Sequence, residues 1–297
     1  MDNKYFFRLV ALSALWGSTF LFTRMATPML GPSLTAALRI GLGAMTLGLI
    51  MRTLKLRWPV QHWRELLLLG ALGIGGPHLL YAWSSLVLPA GYSAVLSITS
   101  VLFGTFASAW LKEDTLTWSK VLGCLAAFIG VALVVQLGPL HPSRELVTAV
   151  AVAIAGSALS GCAAPLLKRA TTRMEPLAIT AAIHAAAFVL LLPGALWSLP
   201  QARFAPSALM AVTVMGIATS GLAYWQYMRI VQMVPPVAAL SSTFMVTIFG
   251  VIWGHIFLNE SFTAASYAGG ALVLLATILV TGFNPLRRSA ASDPARP

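Results

Sequence analysis

Three polar side chains share one face of a helix that follows a glycine-rich break. His78, Tyr81 and Ser85 are spaced three and four residues apart, which places them together on a helix surface. They offer an imidazole, a phenol and a hydroxyl, groups that hydrogen-bond a polar ligand and, for histidine, exchange a proton near neutral pH. The alternative is a kinked helix in which His78 only bonds a neighbouring backbone group. The residues predicted to form a hinge at the break are Gly75, Gly76 and Pro77.

Other candidates for contact with a substrate are aromatic, hydroxyl or thioether side chains inside apolar stretches. Rings within a helical bundle can stack on an apolar or aromatic solute, and hydroxyls can bond its polar groups. These further candidates are Trp16, Thr19, Ser97, Ser220, Tyr224, Trp225, Ser241 and Met245. For Ser97, Ser241 and Met245, close helix packing is an equally good interpretation.

Arg39 is a basic residue within an apolar stretch that has no Asp or Glu at comparable depth. We expect its side chain to snorkel toward an outer surface. The alternatives are bonds to helix-end carbonyls or to the carboxylate of a substrate. With Arg39 turned away, the chamber between the two halves would be uncharged apart from His78.

Nothing in the sequence predicts catalysis or a metal centre. The HExxH and GxSxG patterns are absent, and so is a pair of neighbouring aspartates. Cys124 and Cys162 both fall inside apolar stretches, where a thiol usually behaves as a small hydrophobe. We therefore predict that the protein is not an enzyme and that it holds no cofactor and no metal.

The composition is that of a membrane protein, because 58% of the 297 residues are hydrophobic and only 9% are charged, against about 25% charged in soluble domains. The apolar residues form blocks about as long as a helix that crosses a bilayer. The ten predicted spans are 6–26, 33–51, 65–87, 91–111, 118–137, 147–167, 176–197, 207–229, 237–258 and 264–283. The fold class expected is an all-α polytopic membrane protein.

Basic residues fix the predicted orientation, because cytoplasmic loops accumulate Lys and Arg. If the N-terminus is cytoplasmic, all Lys and Arg residues in the connections and tails lie on the cytoplasmic side, except Arg144 and Arg203. An even number of spans also leaves the basic tail 287–297 in the cytoplasm. The net charge of +11 is thus explained by membrane topology, and nucleic acid is excluded as a partner because no basic face with stacking aromatics is present.

The two halves of the sequence resemble each other. Residues 35–39 read Thr-Ala-Ala-Leu-Arg and residues 180–184 read Thr-Ala-Ala-Ile-His. Residues 89–113 and 236–260 have equal lengths, begin with proline and end with glutamate. Five helices is an odd number, so a second copy would be inserted inverted, as in alternating-access transporters. The predicted units are residues 1–140 and 141–286, two inverted five-helix repeats around a central cavity.

These features together resemble the ten-span EamA-type branch of the drug/metabolite transporter superfamily. The resemblance covers nearly the whole chain and is carried by Trp-Gly-Ser-Thr at 16–19, by Ala-Leu-Arg at 37–39 and by Glu113 and Glu260 after the fourth and ninth spans. The second half departs from the pattern, with Ser-Gly-Cys at 160–162 in place of the tryptophan motif. Within the branch, the chain is most similar to bacterial exporters of amino acids, including aromatic ones.

The resemblance implies an exporter of small neutral or zwitterionic metabolites in the bacterial inner (plasma) membrane, working by alternating access. Drugs, nucleotide sugars or phosphorylated metabolites are alternative cargoes, and an integral-membrane enzyme is the alternative of another class. Because no carboxylate lies at mid-membrane, we expect facilitated movement, with proton coupling through His78 as the alternative. The expected partners are a small-molecule substrate and the lipid bilayer, and the protein is expected to be a monomer.

Overall fold

The structure, a computed structural model, describes residues 3–112, 117–136, 143–231 and 236–281, and within these ranges it is helical without strands. Glu113, Asp114 and the tail 287–297 lie outside the described residues. The α-helices are α1 (Asn3–Leu30), α2 (Pro32–Thr53), α3 (Trp63–Leu69), α4 (Gly76–Ser84), α5 (Ala90–Ser97), α6 (Thr99–Trp110), α7 (Trp118–Gln136), α8 (Arg144–Thr171), α9 (Pro176–Ser198), α10 (Pro206–Thr213), α11 (Ala223–Val231), α12 (Pro236–Leu258) and α13 (Ala264–Thr281).

Several of these helices are long and apolar enough to cross a membrane. Six helical stretches of the described chain meet both requirements: Pro32–Thr53, Val60–Ser84, Ala90–Trp110, Arg144–Thr171, Pro176–Gln201 and Pro206–Tyr227. Met245–Leu258 and Tyr267–Ala276 are shorter apolar helices. Large apolar side chains such as Trp110 and Trp197 are more than 80% exposed, as expected of a surface that faces lipid. The chain is therefore a multi-pass membrane protein.

Two of the membrane-crossing stretches contain a π-helical segment. The first, Gly70–Gly75, lies between α3 and α4, and the second, Val214–Leu222, lies between α10 and α11. Pro77 is the second residue after the first segment, so the sequence prediction of an interruption there is matched by a widened helical turn. The second segment contains no proline and was not predicted from the sequence.

Each π-helical segment packs on a helix from the other half of the chain. A Cβ added to Gly70 would lie 2.8 Å from the carbonyl oxygen of Ile183 in α9. In the same way, a Cβ added to Gly221 would lie 2.6 Å from Thr46 Cγ2 in α2. Glycine thus lets both segments approach the neighbouring helix closely, as small residues do in membrane bundles. Helices α2 and α9 also pack against each other.

Glu260 connects the two halves at one end of the bundle. Its carboxylate, in the connection between α12 and α13, accepts hydrogen bonds from the backbone N–H groups of Ala90 at 2.5 Å and Gly91 at 3.0 Å. These are the first residues of α5, whose N-terminal N–H groups have no intrahelical partner. Gly254 of α12 lies against the Glu260 side chain. Glu260 therefore caps a helix of the N-terminal half.

Candidate functional site

A cavity of about 380 Å³ lies between the two halves of the chain. Its walls are formed by α1, α2, the first π-helical segment, α4, α5, α6, α8, α11 and α12. The lining residues are Trp16, Thr19, Phe20, Thr23, Arg39, Gly73, Pro77, His78, Tyr81, Ser85, Ser93, Ser97, Ser100, Ser160, Tyr224, Tyr227 and Val246. No acidic side chain is among the lining residues in the described part of the chain. The cavity is of the size and mixed polarity typical of small-molecule sites.

Three aromatic rings form a cluster on one wall of this cavity. The Trp16 ring centroid lies 5.5 Å from that of Tyr224 and 5.0 Å from that of Tyr227, both in edge-to-face arrangements. The Trp16 indole N–H donates to the Thr219 carbonyl oxygen at 3.0 Å. This bond joins α1 to the second π-helical segment and fixes the orientation of the ring. The cluster offers ring faces on which an apolar or aromatic group could pack.

The polar face predicted on the third span also reaches the cavity. His78 Nδ1 lies 2.6 Å from the Ile74 carbonyl oxygen, a contact that requires the proton on Nδ1 and leaves Nε2 as an acceptor in the neutral ring. The Tyr81 hydroxyl lies 2.7 Å from Ser157 Oγ of α8. Tyr81 therefore presents its ring to the cavity, while its hydroxyl is engaged by the other half.

Arg39 lies in the cavity wall, so the expectation that it snorkels outward is wrong. The residue is 7% exposed, and its Nε donates to Ser220 Oγ at 3.0 Å. The second π-helical segment approaches α2 so closely that a Cβ added to Gly216 would lie 3.0 Å from the Arg39 carbonyl oxygen. This packing holds the guanidinium inside. The interior therefore holds a positive charge at Arg39, because arginine keeps its charge in proteins. The expectation that His78 would be the one group there able to carry a charge is also wrong.

Not every predicted contact residue reaches the cavity. The residues that line it are Trp16, Thr19, His78, Tyr81, Ser85, Ser97 and Tyr224. Ser220 is buried and bonded to Arg39, and it does not line the cavity. Trp225 packs on the cluster of α2 and α9 residues around Leu47. Met245 is half-buried on α12 and outside the lining. The side chain of Ser241 lies outside the described part of the chain. Of the predicted hinge, Pro77 lines the cavity, while Gly75 and Gly76 mark the junction of π-helix and α-helix.

Several lining residues were not predicted as contacts, although a signal for some was present. Phe20 follows Trp16 by one helical turn, and Thr23 follows Thr19 in the same way. Ser93 precedes Ser97 by one turn on α5. Extending each predicted face by four residues would have found all three. The remaining additions to the predicted set are Arg39, Gly73, Ser100, Ser160, Tyr227 and Val246.

Known proteins that are similar to this chain over most of its length include a transporter. The chain is 23% identical over 269 residues to an uncharacterized transporter of Archaeoglobus fulgidus, a match that covers 89% of this chain and 94% of that protein. It is 24% identical over 277 residues to Protein PecM of Dickeya dadantii, covering 92% of this chain and 91% of the relative. The profile of the EamA-like transporter family matches twice, at residues 4–136 and 147–282. The chain belongs to the EamA-like transporter family.

A solved structure shares the fold. That structure, titled "Crystal structure of protein", superposes with a TM-score of 0.65 at 17% sequence identity. The superposition covers 94% of this chain and 98% of the other.

Proposed function

We propose that this transporter exports small neutral or zwitterionic metabolites, with amino acids, including aromatic ones, as its cargo. It would do so by alternating access, as a monomer in the bacterial inner membrane with both termini cytoplasmic, and without catalysing a reaction. The observation that carries the proposal is the cavity between the halves, which is lined both by the ring cluster around Trp16 and by hydroxyls such as those of Ser97 and Ser100.

Alternating access requires two units that can exchange conformations, and two observations support a pair of inverted five-helix repeats spanning the membrane ten times. The family profile matches the chain twice, with boundaries close to the predicted units. Each π-helical segment packs on the second long helix of the other half, α9 or α2, so the packing is reciprocal. A two-fold relation between inverted units would produce this reciprocity.

Counterflow in proteoliposomes tests the proposal. Vesicles loaded with unlabelled phenylalanine should accumulate labelled phenylalanine or tryptophan. Trp16→Ala and Tyr224→Ala should each reduce the rate about tenfold or more, because loss of a buried aromatic contact costs about 1 to 3 kcal/mol. Trp197→Ala is the matched control, since this tryptophan is 82% exposed outside the cavity and its loss should leave the rate unchanged.

Two results would contradict the proposal. One is the absence of amino-acid counterflow together with flux of a nucleotide sugar, which would point to the phosphorylated cargoes. The other is equal loss of flux in the Trp16 and Trp197 variants, which would mean that the cavity rings have no special role.

A further inference from the structure

Arg39 is a buried cation without a counter-charge among the described residues. Its Nε is bonded to Ser220, and no described residue bonds its two terminal amino groups. Among the described residues, the ionisable side chains that interact with it electrostatically are His78, His184 and Tyr224, and none of them carries a negative charge near neutral pH. A buried charge that lacks a partner is strongly unfavourable. The arrangement is therefore incomplete without a negatively charged group.

The cavity is the place where such a group could reach the guanidinium. Arg39 lines it, and the amino groups that remain after the Ser220 bond form one side of the planar fork that binds a carboxylate with two parallel hydrogen bonds. His184 belongs to the same environment: its ring lies 5.3 Å from that of Tyr224, and its buried Nε2 has no hydrogen-bond partner among the described residues.

The number of charges limits the ligand. Among the described lining residues Arg39 is the only permanent cation, and none is acidic. A single carboxylate balances one guanidinium. A phosphate ester or a nucleotide diphosphate carries two or more charges and would be left partly uncompensated in a site of low dielectric constant. An organic cation would meet repulsion from Arg39 with no acid to offset it.

We infer that Arg39, positioned by Ser220, is the carboxylate subsite of the cavity and that the ligand is an organic monocarboxylate with an apolar or aromatic body. The inference rests on the proposed function and assigns one end of its substrate. The body of the ligand lies against the rings of Trp16, Tyr224 and Tyr227, which line the same cavity as Arg39. An ammonium group on the ligand is tolerated and is not required, because no acidic side chain of the described lining is available to bind it.

The carboxylate subsite is tested by thermal unfolding of the purified protein with three compounds that share a phenyl ring and differ in their charged groups. Phenylalanine has both charges, 3-phenylpropionate lacks the ammonium, and phenylalaninamide lacks the carboxylate. The first two should stabilise the protein at concentrations at which the amide does not. Arg39→Gln should weaken binding of both carboxylates by about tenfold or more, since bonds to charged groups are the strong ones. Arg39→Lys should keep part of the preference, and Arg203→Gln, which removes an exposed loop charge, should keep all of it.

The outcomes separate the subsite from the proposed function. If the amide stabilises as well as the acids, or if Arg39→Gln keeps the preference, while Trp16→Ala abolishes binding of all three, the carboxylate subsite is refuted and a transport site in the cavity stands. If none of the three compounds stabilises the protein and none supports counterflow, both are refuted. Should Arg39→Gln fail to fold, comparison of the three compounds on the natural protein and on Arg39→Lys decides the question.

Discussion

Replacing Glu260 with glutamine should weaken a contact that joins the two halves of the chain at one end of the bundle. Its carboxylate binds two backbone N–H groups at the start of α5. Glutamine keeps one acceptor oxygen and loses the charge, so about one charge-assisted bond is lost. Such bonds contribute roughly 1.5 to 3 kcal/mol, and because Glu260 is half-buried the lower figure applies after solvent screening. At about 1.4 kcal/mol per factor of ten, the population with this end open should rise about tenfold.

The reaction rate of a buried thiol reports that population. Ser93 lies on α5 one turn from Ala90, lines the cavity and is 3% exposed. In a background with Cys124 and Cys162 replaced by alanine, Ser93→Cys should therefore react with a membrane-impermeant maleimide added on the Glu260 side only when this end opens. Glu260→Gln should raise the rate about tenfold. Glu175→Gln is the matched control, because Glu175 accepts from the Ala178 N–H of its own helix and caps α9 locally.

The reasoning would be refuted if Glu260→Gln left the labelling rate of Ser93→Cys unchanged. An equal rise in the Glu175→Gln protein would also refute it, because general loss of helix stability would then explain the result. A rise confined to the Glu260 variant is expected, since of the two carboxylates compared only that of Glu260 bonds the other half of the chain.

Three further predictions concern the cavity walls. Tyr81→Phe should cost about 0.5 to 1.5 kcal/mol of stability through the lost Ser157 bond, yet counterflow should stay within about twofold because the ring remains. Gly161→Ala should lower the unfolding temperature, since its Cβ would lie 2.8 Å from the Gly104 nitrogen of α6, and such overpacking costs about 1 to 3 kcal/mol. His78→Ala should still catalyse counterflow without a pH gradient, as expected of uncoupled transport.

For each of these three predictions, one experimental result would contradict the reasoning. Loss of counterflow in Tyr81→Phe would show that the hydroxyl binds substrate and not Ser157 alone. The control for Gly161→Ala is Gly270→Ala, whose added Cβ would meet no described atom within 4 Å. This control variant should be neutral or slightly stabilising. Equal destabilisation of both glycine variants would contradict the packing argument. Transport that depends wholly on an imposed pH gradient and is lost in His78→Ala would overturn the uncoupled mechanism.

The helices and part of the cavity could be predicted from the sequence because hydropathy and helical spacing are local properties. The positions 78, 81 and 85 reach the cavity together since α4 is a regular helix, for which a period of 3.6 residues holds. On the eighth span the same reasoning held for Tyr224 and failed for Ser220 and Trp225. Ser220 lies within the π-helical segment, whose wider turns shift its face relative to that of Tyr224 in α11. Trp225 directly follows Tyr224 in α11 and therefore lies on a different face of that helix.

Arg39 could not be placed from the sequence for a different reason. Hydropathy gives the depth of a residue and not the neighbour that its side chain meets. Its position depends on Gly216 and Ser220, far along the chain, which bring the second π-helical segment against α2. A long-range packing contact of this kind leaves no periodic signal near residue 39.

The most direct test of the central claim asks whether the cavity is the transport path. Ser97 lines the cavity from α5, so Ser97→Cys in the cysteine-free background places one thiol there. A membrane-impermeant thiol reagent should modify it from either face of the membrane in turn, phenylalanine should slow the modification, and the modified protein should lose counterflow. Full counterflow after complete modification of this thiol would contradict the account, because solute would then be crossing the membrane by another route.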